Sequence, residues 1–446
     1  MSSSAMHRRA LVRPLKLLLL SLLLRRRPGT SCTRHDIDDY GATPGCVSCA
    51  PQNGRAFFDA ARAATVGDSV WIKAGKTYWF RPRFNATMKG LRNVTFQIQG
   101  VLVLDTNYSA WPMLPDDETV FAPAIDIQAS AAITIRGNGT IDGQGQVWWW
   151  AFFRHRVGRR RPTLLNIEDT VDVDVSRLAL RDSPRFHVYA SNVTRASFHD
   201  LDIRVDLMGG GGALPMFPYN TDGIDVSGRF IHIFDVRVEN YDDAVAVKPL
   251  SGGACTHDVL VERVSVKRGV GLSVGSVGPK RGGACVRGVV FRNCTVTAPF
   301  KVVYIKTGTH EPDAEAWGIV ENVTYAHINA SAPWFWPVYV GPQQQSEPDG
   351  TGQGWWPAPD PRVTVRDIYL KHIHVTRNRF RAGVLRCDPS TNPCGPIHFK
   401  DVTVAGGFGG YYCDGVFGSV DSSSEPQRFS TSCPFSANNT NEKKYV

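Results

Sequence analysis

The chain has 446 residues, 42% of them hydrophobic, enough for one large β domain or two or three ordinary ones around a sizeable core. Its formal charge of +9 hints at a polyanionic partner, yet Arg8, Arg9, Arg13, Lys16, Arg25, Arg26 and Arg27 all sit in a leading stretch without acids. The rest carries only +2, which excludes binding driven by bulk charge, and no nucleic-acid partner is expected.

Residues 1–31 read as a targeting segment, basic at first and then apolar over 17–24. That run is far shorter than the roughly 20 apolar residues that cross a bilayer, so stable membrane insertion is not expected. Gly29 and Ser31 offer small residues for cleavage ahead of Cys32, which fits a secreted protein. The arginines behind the apolar run also fit an organelle transit peptide. The ten cysteines all fall at or after Cys32, an even number compatible with complete disulfide pairing. Cys387 and Cys394 would close a short loop, and Cys413 with Cys433 would tie down the C-terminal segment. Asn-x-Ser/Thr sites at Asn85, Asn93, Asn107, Asn138, Asn192, Asn293, Asn322, Asn329 and Asn438 are dense enough to suggest an exported glycoprotein.

From there short β-prone runs follow one another to the end. Val94–Ile98, Ile133–Gly137, Val171–Val175, Ala196–Leu201, Ile231–Phe234, Val259–Glu262, Val289–Arg292, Ile319–Asn322 and Val363–Ile368 are examples. Their spacing, roughly 25–35 residues, is that of an internal repeat. Helical periodicity is almost absent, which removes α-solenoids. A propeller blade needs about 40 residues and four strands, and these units hold two or three. The pattern predicts an all-β, single-domain parallel β-helix, right-handed, over about residues 48–410 with a cap at each end, the mature domain being 32–446. Asn240, Asn293, Asn322 and Asp367 suit left-handed or bridging corners between strands. A β-sandwich of many short strands is the other architecture such runs allow.

Two acidic motifs stand out inside this repeat: Asn220-Thr221-Asp222-Gly223-Ile224-Asp225, and Asp242-Asp243 ahead of Ala244 to Lys248. They are about one coil apart, and strands of adjacent coils stack about 4.8 Å apart. Asp222, Asp242 and Asp243 can therefore converge, provided the chain kinks at Tyr241-Asp242, since neighbours in a regular strand face opposite ways. Crowded carboxylates split their pKa values into an acid and a base. An inverting glycosidase uses such a pair about 6.5–9.5 Å apart with a water between. Taken singly, Asp222 and Asp225 also read as turn formers and Asp243 as a solvated corner.

At these residues the sequence resembles glycoside hydrolase family 28, the polygalacturonases and their relatives. Asn220-Thr221-Asp222-Gly223 and Asp242-Asp243 match its first two motifs, and Gly139-Thr140-Ile141-Asp142-Gly143-Gln144-Gly145 with Trp148-Trp149-Trp150 looks like its early coil. The resemblance implies Asp242 as general acid, Asp222 and Asp243 as the residues that position and deprotonate water, and Asn220 with Lys306 and Tyr304 as substrate-binding positions. Two motifs depart from the family. Val270, in Gly269-Val270-Gly271, stands where its histidine is expected. Tyr304, in Tyr304-Ile305-Lys306, stands where its arginine is expected. Lys306 offers a point charge rather than the bidentate fork of arginine, and Tyr304 is expected to stack on a sugar face.

The implied function is inverting hydrolysis of a pectin-like wall polysaccharide by a monomer, with no cofactor or metal. A polysaccharide lyase on the same fold and a non-catalytic glycan-binding or wall-structural β-helix are the alternatives. Pro333-Trp334-Phe335-Trp336-Pro337, Trp355-Trp356 and Gln343-Gln344-Gln345 lie in irregular stretches that suit sugar contacts or plain packing. Gly209-Gly210-Gly211-Gly212 reads as a flexible loop beside the site. Arg154, Arg156, Arg159, Arg160 and Arg161 read as a solvated loop or a contact for an acidic glycan. His187 is either structural or substrate-facing.

Overall fold

The computed structural model describes residues 32–208, 216–250, 252–308, 313–343, 358–425, 429 and 433–437. The leading segment, Gly209–Gly212, Gln344-Gln345, Trp355-Trp356 and Asn438 lie outside the described residues. Apolar residues at every second position turn one face of each strand inward, and successive coils place them on top of one another. Val173, Ala196, Ile231, Val259, Val289 and Val323 are consecutive register partners of one such column, and all are buried. Nearly every pairing among the described strands is parallel and joins one coil to the next. The fold is a parallel β-helix with a continuous apolar core, not a sandwich.

The corners explain part of the sequence pattern. Arg195, Phe230, Asp258, Gly288, Asn322 and Asp367 stack at one corner, each with φ between 52° and 60°. Left-handed backbone favours Gly, Asn and Asp. Asn93, Asn192, Asn293 and Asn322 have φ between 52° and 55° and lead into strands with a hydroxyl residue two places on. Their Asn-x-Thr sites are thus also what a corner followed by a strand would produce. The eight sequon asparagines among the described residues are all exposed. Asn240 departs from the corner expectation: it is fully buried and its φ is not left-handed.

The ends differ from the expected bounds of 48 and 410. The ladder begins earlier, with Arg34–Asp36 beside Ser69–Ile72, and residue 48 leads into helix α1 (Ala50–Ala63). Pro51 opens that helix, and Phe57 packs on Phe80 and Phe96 with ring centroids 5.5 and 5.8 Å away, closing the core. At the other end, pairing continues through Val416–Val420 to Phe435–Ala437. Helix α2 (Gly145–Phe153) buries Trp148 against Trp111 and Phe121. Disulfides join Cys46–Cys49, Cys255–Cys285, Cys387–Cys394 and Cys413–Cys433. Both suggested pairs form, but pairing is incomplete. Cys32 is free at the surface and Cys294 is free in the core, where a thiol packs as a small hydrophobe.

Candidate active site

Six strands carry the site along one face: β1 (Val188–His199), β2 (Ile224–Asn240), β3 (Asp243–Val247), β4 (Gly271–Val277), β5 (Val303–Thr307) and β6 (Val338–Pro342). The kink required by adjacent aspartates is present. β2 stops at Asn240, β3 starts at Asp243, and the register of β3 on β4 shifts between Asp243 and Val245. Asp242 therefore lies in the break. Asn240 clasps the two motifs together, its side-chain amide donating to the Thr221 carbonyl at 2.9 Å and the Asp243 carbonyl at 2.8 Å. Gly223 must remain glycine, since a Cβ there would lie 2.4 Å from the Ala244 carbonyl oxygen.

One carboxylate oxygen from each of Asp222, Asp242 and Asp243 lies within 4.8 Å of the other two. This is tighter than the expected 6.5–9.5 Å range for an inverting pair, because consecutive residues and a single inter-coil step hold them. Asp222 is 3% exposed and Asp243 0%, while Asp242 is half-buried. Asp242 accepts from the Asn220 N–H at 3.1 Å and the Asp243 N–H at 2.9 Å. Asp243 accepts from the Ser273 hydroxyl at 2.6 Å and, in a short contact, from the Lys306 ammonium. Lys248 lies 3.3 Å from Asp225, 3.8 Å from Asp243 and 3.9 Å from Asp222.

These surroundings separate the three acids. Burial and the neighbouring Asp243 charge push the Asp242 carboxyl up to about 6, Lys306 opposing. Burial, with Asp242 and Asp225 nearby, pushes Asp222 well above the carboxylate range. Burial would raise Asp243 too, but Lys306 and Lys248 outweigh it and hold that carboxyl below its usual value. The set thus supplies one carboxylate that stays ionised to lower pH than usual, beside a partly exposed acid that keeps its proton at mildly acidic pH. Three carboxylates so placed are also a donor set for a hard cation. The Lys306 and Lys248 ammonium groups already bring two positive charges into the cluster.

Tyr304 does not take the role expected of it. It is fully buried in a small apolar cluster with Val270, Trp336, Tyr339 and Val384, and the Lys301 ammonium sits 4.5 Å from its ring centroid. A sugar cannot stack on that ring, because Tyr339 lies edge-on against it, 5.4 Å between centroids. Lys306 is 5% exposed and its ammonium is engaged by Asp243. Asn220 is half-buried and lends its backbone N–H. His187 is fully buried and structural: Nε2 accepts from the Ser183 N–H at 3.4 Å, and Nδ1 meets the Asp222 carbonyl at 3.0 Å. Burial lowers its pKa to about 4, so it is neutral above that pH. Trp334 is 49% exposed, whereas Trp336 is 9% exposed. Phe217, Phe300, Phe335 and Phe380 run beside the cluster with neighbouring centroids 6.5, 5.5 and 5.8 Å apart.

Lys248, Ser273 and Asp225 joined the site without a sequence signal strong enough to single them out. Asp225 sits in the first motif and Lys248 five residues beyond Asp243, but their convergence depends on inter-coil register. The arginine cluster divides as well. Arg160 pairs with Asp117 at 2.7 Å, but Arg161 is 1% exposed.

The sequence profile of the glycosyl hydrolases family 28 matches residues 83–423, well over half of the chain. The chain belongs to glycosyl hydrolases family 28. Among its relatives, the Aspergillus flavus protein named "Probable endo-xylogalacturonan hydrolase A" is 31% identical over 261 residues, 58% of this chain and 60% of that protein. The match thus spans about 60% of the length of the relatives of that name. An exopolygalacturonase of Arabidopsis thaliana is 26% identical over 347 residues, 77% of this chain and 70% of its own. Among solved structures, the endo-xylogalacturonan hydrolase from Aspergillus tubingensis superposes with a TM-score of 0.64 at 21% identity, covering 92% of this chain and all (100%) of its own. The polygalacturonase from Erwinia carotovora ssp. carotovora gives 0.56 at 20%, covering 93% and 96%. At these identities the likeness establishes the fold, which is the right-handed parallel β-helix of this family.

Proposed function

We propose that this family 28 protein hydrolyses glycosidic bonds in a pectin-like galacturonan, the backbone class named by its relatives. The observation that carries the reading is the split within the acid set: Asp242, half-buried and raised to about 6, beside Asp243, held ionised by Lys306. Asp242 donates its proton to the departing glycosidic oxygen. Asp243 takes a proton from the attacking water. Asp222, whose Oδ1 has no hydrogen-bond partner among the described residues, orients that water. Lys306 keeps Asp243 charged and offers its remaining donors to the sugar.

Inversion is the outcome the family resemblance implies, while the 4.8 Å clustering of the carboxylates falls nearer the spacing of retaining enzymes, about 5–5.5 Å. We favour inversion because Ser273 and Lys306 pin both oxygens of Asp243 in place, which leaves lone pairs to take a proton from water but restrains the carboxylate from closing on a sugar carbon. Proton NMR of the first hemiacetal released decides: opposite anomeric configuration is expected, and retained configuration would assign the nucleophile to Asp222 or Asp243. Reducing ends should form from polygalacturonate or xylogalacturonan in the presence of a chelator. Products absorbing in the ultraviolet, formed only with added metal, would mean a lyase instead.

We also infer export. The support is the pattern of residues 1–31, the four disulfides, and the eight exposed sequon asparagines among the described residues.

A further inference from the structure

The positions that would read a uronate beyond the aspartates hold Val270 and a buried Tyr304, so of those motif positions Lys306 is the one that carries a charge. The other side is built differently. A cavity of about 660 Å³ lies toward the N-terminal coils, lined among others by Arg161, Arg185, Phe186 and Tyr189. A second, about 540 Å³, holds Lys248 and Asp225 and shares Phe186 and Tyr189 with the first. The two open along the same face, and Tyr189 is the register partner of Asp225, one coil before the acids.

Neither arginine is spent on an ion pair among the described residues. Arg161 donates from Nε to the Pro184 carbonyl at 2.7 Å and from Nη2 to the Tyr219 carbonyl in a short contact, and its Nη1 has no partner. The Arg185 guanidinium lies 4.1 Å above the Phe186 ring, and its Nε has no partner. Phe186 in turn stacks on Tyr189, centroids 5.9 Å apart. Two guanidinium groups with unmatched buried donors are costly to leave so, and a planar carboxylate is the ligand whose geometry matches their forks. Asp222 and Asp225 attract Arg185 without contacting it.

We propose that Arg161 and Arg185 form a carboxylate-binding subsite on the N-terminal side of the catalytic aspartates, where Phe186 and Tyr189 support a uronate ring. Uronate recognition is thereby moved from the coils after the acids to the coils before them. This rests on the substrate being a uronate polymer, as proposed above.

The test, run with Asp242→Asn in every chain so that the ligands stay uncleaved, is calorimetric binding of trigalacturonate and of its methyl ester to the full chain and to Arg185→Gln, with Arg185→Lys as a second variant. Arg161 is left intact because it clamps Pro184 and Tyr219. With Arg185 in place the chain should prefer the acid over the ester by about tenfold or more, the size of one charge-assisted pair. Arg185→Gln should bring the two ligands within about threefold while leaving ester binding unchanged, and Arg185→Lys should restore part of the preference. An unchanged preference in Arg185→Gln, an equal weakening of both ligands, or no preference with Arg185 in place would overturn the subsite. Failure of the hydrolase reading shows separately, as absence of reducing ends from polygalacturonate, because binding is read without turnover.

Discussion

Lys306 and Asp242 set opposite limits on the reaction. Loss of the Asp242 proton above about pH 6 removes the acid, and protonation of Asp243 below the usual carboxylate range removes the base. The pH profile of kcat/KM should therefore be a bell whose alkaline limb falls near pH 6. An alkaline limb near pH 8 would reassign the acid. Replacing Lys306 with Met strips Asp243 of its main counter-charge. Its carboxyl should then titrate higher, moving the acidic limb upward, with kcat/KM down on the order of a hundredfold. At this scale the three aspartates were legible because two short motifs stood one coil apart. Lys248 and Ser273 were not, since their positions follow from inter-coil register, which is not written in local sequence; Arg161 stood out only as one of a basic cluster, a solvated loop or a contact for an acidic glycan. Tyr304 misled because a tyrosine facing sugar and one facing Tyr339 look alike in sequence.

Between elements, side-chain ladders tie coil to coil on the outer faces. Glu262 accepts from Arg263 at 2.6 Å, Arg292 at 2.8 Å and His232 at 3.1 Å. Burial opposes its charge, but these bonds hold its pKa at about 2, below the 4.5 of a free glutamate. A depressed carboxylate stabilises the fold above its unfolded pKa and loses that contribution as pH falls toward its folded value. Glu262→Gln should lower the melting temperature at pH 7 and show little difference from native near pH 2. Its cost, discounted for solvent screening, is on the order of 1 kcal/mol. In the core, Phe291 stacks on Tyr325 at 4.7 Å, and Phe291→Ala should cost about 3–5 kcal/mol in chemical denaturation. The strands were read correctly because alternation survives in each run. The helices α1, 14 residues, and α2, 9 residues, were missed because each is a single segment among many strands and neither belongs to the repeat. The break at Tyr241-Asp242 was required by the chemistry before it was seen, and Asn240, expected at a corner, proved to be its clasp.

Across the whole molecule, stability is a sum of neighbouring coil interfaces, so the ends are the weak points. Cys387–Cys394 and Cys413–Cys433 both secure the C-terminal cap, while Cys255–Cys285 bridges two coils beside the site. Mild reduction should first raise amide exchange over residues 383–437 and spare β2 to β4. Simultaneous loss of protection in both regions would contradict the independent-cap picture. The repeat, and hence the solenoid, was plain in the sequence; its ends were not, because α1 and the last strands break the period.

The account stands or falls on Asp242 as the proton donor. Release of reducing ends from polygalacturonate near pH 5 should fall by a factor of about a thousand or more in Asp242→Asn, with oligogalacturonate binding preserved. Native-like release by that variant would contradict it.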